Sequence, residues 1–128
     1  MGTLDRQCVV IGSFRKDYAR ILEICDALLR LRIRVLSPER SQIINPAAEF
    51  VLLESDLHRH AKLRIKSIED SVLRKIRQAT FVYLCDPEAC IGVSAAFEIG
   101  YACTVGVPII AMKMPIDRVI ARYVAFEG

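Results

Sequence analysis

The sequence predicts a single α/β domain in which a parallel β-sheet carries helices on both faces. Two observations predict it. Short apolar runs of β type alternate along the chain with longer segments whose apolar residues recur at helical spacing. The 128 residues, 53% apolar and 26% charged, suffice for one core and not for two. No apolar run approaches the roughly 18–20 residues needed to span a bilayer, so no membrane partner is expected.

Residues 7–12 (QCVVIG) form an apolar run ending at Gly12. From Asp17 to Leu31, Tyr18, Ile21, Leu22, Cys25, Leu28 and Leu29 fall on one helical face, giving strand, turn and amphipathic helix. Ile33 to Leu36 reads as a second strand, stopped by Ser37-Pro38. Segment 39–57 has two readings. Asn45-Pro46-Ala47-Ala48-Glu49 has the capping Asn and first-turn Pro of a helix start, whereas Phe50-Val51-Leu52-Leu53 suits a short strand.

From Ile68 through Val72, Leu73 and Ile76 the spacing is helical again, and residues 79–85 (ATFVYLC) read as a buried strand ended by Asp86-Pro87. After a loop at 86–93, Ser94 is placed to cap a helix that runs to about Val105 and stops at Gly106. Val107-Pro108 then lead into a strand, Ile109 to Met112. Ile116, Val119, Ile120, Tyr123 and Val124 repeat at i, i+3, i+4, i+7, i+8, which predicts a final helix with one apolar stripe.

Composition narrows the function classes. Residues 1–7 carry Asp5 and Arg6 and lead into a strand without the apolar region of a secretory signal, so a cytoplasmic location is expected. Five cysteines, odd in number and without Cys-x-x-Cys spacing, predict free thiols. The net charge is +3. Bases gather between His58 and Arg77, among them Lys62, Arg64, Lys66, Arg74 and Lys75, but no aromatics are interleaved for base stacking. They read as a solvated helix face, and no nucleic-acid partner is expected.

In parallel sheets of this kind ligands bind at the carboxyl ends of the strands, where strand order reverses. That rule selects Gly12 to Lys16 and Asp86 to Ser94 as the rim of a site. Between Glu88 and Lys113 the only charged residue is Glu98, flanked by Ala95, Ala96, Phe97, Ile99, Tyr101, Ala102 and Cys103. A helix N-terminus about one turn away favours its ionised form while apolar neighbours disfavour it, a tension common to catalytic carboxylates. A buried structural ion pair or a rim position are the alternatives. Gly100, inside the same helix, costs about 1 kcal/mol relative to Ala, which predicts close packing against it.

The turn Gly12-Ser13-Phe14-Arg15-Lys16 opens a helix, and its N–H groups, the Ser13 hydroxyl and Arg15 suit an anion; an ordinary strand-to-helix turn is the other reading. It is neither a P-loop nor Gly-x-Gly-x-x-Gly, and no cofactor is expected. His58-x-His60 lacks further ligands at metal spacing, so no metal is expected. Cys90 has no histidine near it in sequence to activate a thiolate.

The segment ATFVYLCDPEACIGVSAAFEIGYACTVGVPIIAM resembles the nucleoside 2-deoxyribosyltransferase-like superfamily. The likeness lies in the apolar strand, the loop Ile91-Gly92-x-Ser94, the helix Phe97-Glu98-Ile99-Gly100-Tyr101-Ala102 and Gly106-x-Pro108-Ile109. Gly12-Ser13-x-Arg15 is similar to the phosphate-side turn of the 2′-deoxynucleoside 5′-phosphate N-hydrolases in that superfamily.

The resemblance implies a single flavodoxin-like, Rossmann-like domain over residues 1–128 and a substrate that is a nucleoside or its 5′-monophosphate. It implies cleavage of the N-glycosidic bond, with water or a second base as acceptor, and Glu98 as the nucleophile. A catalytically silent nucleotide-binding module of the same fold is the alternative. Gly12, Ser13, Arg15, Asp86, Gly92 and Ser94 become the expected substrate-binding residues. The family's acid six positions before the nucleophile is replaced here by Gly92, and its helix Asp by Val72. Glu69, one turn from Val72 on the same face, and the adjacent Asp70 are left to supply that acid. The resemblance also implies a homodimer or higher oligomer, because family sites are completed by a neighbouring subunit.

Overall fold

A computed structural model describes residues 6–43, 52–59 and 65–126. The sheet has five strands, β1 (Arg6–Gly12), β2 (Ile33–Ser37), β3 (Phe81–Cys85), β4 (Ile109–Ala111) and β5 (Ala125–Phe126), in the order β2-β1-β3-β4-β5. Every neighbouring pair is parallel. The helices are α1 (Phe14–Arg30), α2 (Glu54–Arg59), α3 (Ile65–Gln78), α4 (Val93–Thr104) and α5 (Arg118–Ala121). This is the flavodoxin-like order of a doubly wound sheet, with its switch point between β1 and β3.

Side chains alternate along a strand, and β1 shows the result. Cys8 and Val10 join Ile21, Cys25 and Leu28 of α1 in one core. Val9 and Ile11 point the other way, into a core with Ile76 of α3 and Ala95, Ile99 and Ala102 of α4. All four strand residues are buried because both faces are covered, which is why the run has no polar alternation. The five cysteines are free thiols, and burial pushes those of Cys8 and Cys85 up to about 12, leaving them chemically quiet.

Several boundaries differ from expectation. Helix α1 starts at Phe14, with the Ser13 hydroxyl accepting from the Lys16 N–H at 3.3 Å; the helical period begins only at Asp17 because the backbone is irregular there. Ser94 does not cap α4. Gly92 holds the cap position with extended backbone and no side-chain hydrogen bond, and Ser94 lies inside the first turn. Gly100 is exposed, and no atom of the described residues lies within 4 Å of the position a Cβ would take, so the expected close packing is not found among them.

The C-terminal helix is also corrected. The Asp117 side chain accepts from Val119 and Ile120 N–H to start one turn, α5, after which the chain becomes β5. Ile120 and Val124 pack on the core, while Ile116, Val119 and Tyr123 stay exposed. The free edge of β4 offers backbone hydrogen bonds that this segment takes up in preference to prolonging a helix. In segment 39–57, the Asn45 helix start lies outside the described residues. Leu53 forms an antiparallel bridge with Ile43 and leads into α2.

Candidate active site

A cavity of about 340 Å³ opens at the carboxyl ends of β1 and β2, within the size range of small-molecule sites. Its wall is built from the loops that leave the strands and the helices that cross them. Gly12, Ser13 and Arg15 come from the β1–α1 turn, and Ser37, Pro38 and Glu39 from the end of β2. Leu53, Ser55 and Asp56 come from the start of α2, Ile68, Glu69, Val72 and Lys75 from α3, and Gly92, Ser94 and Glu98 from α4. A smaller cavity of about 200 Å³ shares Gly12, Ser13, Arg15 and Gly92 with it and adds Lys16, Glu88 and Cys90. Lys16 and Glu88 face each other at 3.5 Å across its exposed mouth.

The positions of the turn residues follow from packing. At Gly12 the end of β1 runs so close to β3 that a Cβ would lie 2.7 Å from the Cys85 carbonyl oxygen. Only glycine fits there, and the chain can turn at once into α1, which puts Ser13 and Arg15 on the cavity wall.

Glu98 is 8% exposed and lines the large cavity from α4. Its carboxyl is raised well above the ordinary glutamate range, first by burial and then by the hydrogen bond and like charge of Glu69. Two carboxyl groups bonded to each other must share a proton. Glu69 is half-buried, and its Oε2 is enclosed without a hydrogen-bond partner among the described residues. A buried acid beside a half-buried one with an enclosed, unsatisfied oxygen is costly, and such an arrangement is characteristic of sites where charge is handled.

The two acids proposed on α3 part company in the structure. Glu69 reaches Glu98, whereas Asp70 points outward, pairs with Lys66 at 2.7 Å and lines neither cavity. Gly12, Ser13, Arg15, Gly92 and Ser94 are brought together on the large cavity. Asp86 lines neither. It is 2% exposed, and its Oδ1 accepts from the Lys113 N–H at 2.9 Å, tying the end of β3 to the segment after β4. Burial raises its carboxyl as well.

Sequence reasoning missed Glu39, Ser55, Asp56 and Lys75. The strand-end rule that picked the loops after β1 and β3 applies equally after β2 and would have found Ser37 to Glu39. Asp56 gave no local signal. Among the described residues no group of three His, Cys, Asp or Glu side chains is placed to hold a metal ion, and the side chains of His58 and His60 lie outside them. No described helix is long and apolar enough to cross a membrane.

No protein-family model matches the chain, and no curated protein matches it in sequence. Among solved structures, the CMP N-glycosidase BcmB of Clostridium botulinum superposes with a TM-score of 0.60. The match covers 95% of this chain and 85% of that one at 11% sequence identity. At that identity the likeness establishes the shared α/β fold.

Proposed function

We propose that the protein cleaves the N-glycosidic bond of a nucleoside or nucleoside 5′-monophosphate, with Glu98 as nucleophile. The observation that carries the reading is the buried Glu98 carboxyl facing Glu69 inside a cavity of substrate size. The fold shared with a nucleotide N-glycosidase supports it.

In this reading Ser13, Arg15 and the first N–H groups of α1 receive the 5′-phosphate, and Gly92 and Ser94 flank the sugar. Entry of the sugar separates the two acids, and to act as nucleophile Glu98 must first hand the shared proton to Glu69. A Glu98 oxygen then bonds to C1′ as the C1′–N bond breaks, and the departing electron pair on the base nitrogen takes the Glu69 proton. Water, or the nitrogen of a second base, attacks C1′ and breaks the glycosyl ester; its proton returns to Glu69 and Glu98 leaves as carboxylate. Asp86 and Asp70 act outside this chemistry, Asp86 as a backbone tie and Asp70 as a surface ion pair. The uncharged outward face of α4 belongs to the contact between copies in a homo-oligomer.

The test is base release by Glu98→Gln. Gln keeps the shape but forms no glycosyl ester, so release should fall by at least a thousandfold, on the order of losing a covalent nucleophile. A slow 2-fluoro-2-deoxynucleoside should leave a sugar adduct, seen by intact mass, on the wild type and not on the variant. Wild-type release rates in the variant would remove Glu98 as nucleophile, and no release by the wild type itself would favour a catalytically silent nucleotide-binding module.

A further inference from the structure

We propose that Asp56 makes the site selective for nucleobases that carry an exocyclic amino group, cytosine and adenine, over their keto counterparts uracil and hypoxanthine. The inference rests on the nucleotide reading above. Strand order puts β2 on one side of β1 and β3 on the other, so the cavity has two ends. Gly12, Ser13 and Arg15 of the β1–α1 turn share the smaller cavity with Glu88 and Gly92, after β3, while Ser37 to Glu39 leave β2 and the Asp56 turn is tied to the segment that follows it through Ser55 and Ser41. With phosphate at Ser13 and Arg15 and C1′ at Glu98, the β2 side is the wall left for the base.

Asp56 is held in a fixed orientation on that wall. Its N–H donates to the Leu53 carbonyl at 2.9 Å, and its Oδ2 accepts from the Leu53 N–H at 2.8 Å. The neighbouring Ser55 N–H donates to Ser41 Oγ at 2.8 Å, and the Tyr18 hydroxyl bonds the Ser41 backbone. Asp56 is therefore anchored through both its own backbone and one carboxylate oxygen. Its Oδ1 has no hydrogen bond to any described residue.

The other polar side chains nearby discriminate less. Serine hydroxyls donate or accept as the ligand requires, and Glu39 and Lys75 are already engaged within the protein. A carboxylate oxygen only accepts. An amino N–H on the base satisfies it, whereas a carbonyl oxygen at the same place sets lone pairs against lone pairs and leaves both unsatisfied.

Calorimetric titration of the full chain with CMP and UMP, and with AMP and IMP, tests this on isosteric pairs. CMP should bind tighter than UMP, and AMP tighter than IMP, by about 10- to 100-fold, the range for a hydrogen bond to a charged group. Asp56→Asn keeps an oxygen for the Leu53 N–H but offers the base an NH₂ group, so it should invert both preferences. Equal binding within each pair by the wild type, or an equal loss of all four ligands in the variant, would overturn the assignment while leaving the nucleotide reading intact. Failure of all four to bind would overturn that reading and this one with it. The wild-type ratios decide the matter alone if the variant does not fold.

Discussion

Glu98 carries opposite consequences for chemistry and for stability, and the two separate by pH. Its folded-state affinity for a proton is raised above the ordinary value of 4.5 by burial and by Glu69. The native state therefore keeps a proton that the unfolded chain releases. The associated stability is complete below pH 4.5 and is lost as pH rises through the raised folded value. Glu98→Gln mimics the protonated form at every pH. The variant should match the wild type in acid and exceed it at neutral pH by about 1–2 kcal/mol, measured by urea unfolding across pH 4–8. Asp86 is shifted in the same direction but is present in both proteins, so their difference isolates Glu98. A variant less stable than the wild type at pH 7 would mark Glu98 as one half of a structural pair. Arg15 has a separate signature. Arg15→Ala should weaken monophosphate binding by about 1.5–3 kcal/mol, as for a charge-assisted hydrogen bond, and leave the free nucleoside almost unchanged. Equal losses for both ligands would make Arg15 a structural residue.

At the scale of elements, the meeting of β1 with β3 sets the site. Gly12→Ala would drive a Cβ to 2.7 Å from the Cys85 carbonyl oxygen and 3.2 Å from the Cys85 Cβ. Neither the backbone oxygen nor the paired strand can yield without disturbing the sheet, so the variant should lose about 2–4 kcal/mol and bind nucleotide poorly. A thermal melt that left the midpoint unchanged would contradict the close approach. The same contrast between local and nonlocal control explains what the sequence disclosed. β1 and β3 were legible because each is buried on the faces its apolar residues announce, and α4 because its run, uncharged apart from Glu98, ends at Gly106. Glu98 was legible as the lone charge of an apolar helix. β5 was not, because two residues carry no pattern of their own and owe their conformation to the open edge of β4. Asp56 was equally silent, since an acid in a polar segment looks the same whether it faces water or a cavity.

For the whole molecule, the question is what covers α4. Glu98 is its only charged residue and points inward, while Val93 is 88% and Phe97 57% exposed. Val93 also lines the large cavity, so the uncharged face of α4 runs directly into the mouth of the site. A second copy seated on this face by twofold symmetry would bury Phe97 twice and narrow the cavity entrance at the same time. Burial of one such side chain is worth about 1.5–3 kcal/mol, and symmetry doubles it. Phe97→Glu adds to that loss the cost of bringing two like charges together, and should therefore weaken self-association by more than about a hundredfold. Sedimentation velocity at equal concentrations would read this as a shift from the wild-type assembly to monomer. Because the substitution faces away from both cores, far-ultraviolet circular dichroism should stay unchanged. Base release should fall with the assembly and recover in part at high protein concentration, since the entrance would be completed only in the associated state. A wild type that sediments as a monomer at high micromolar concentration would sink the proposed contact, and an assembly that survives Phe97→Glu would move it to another face.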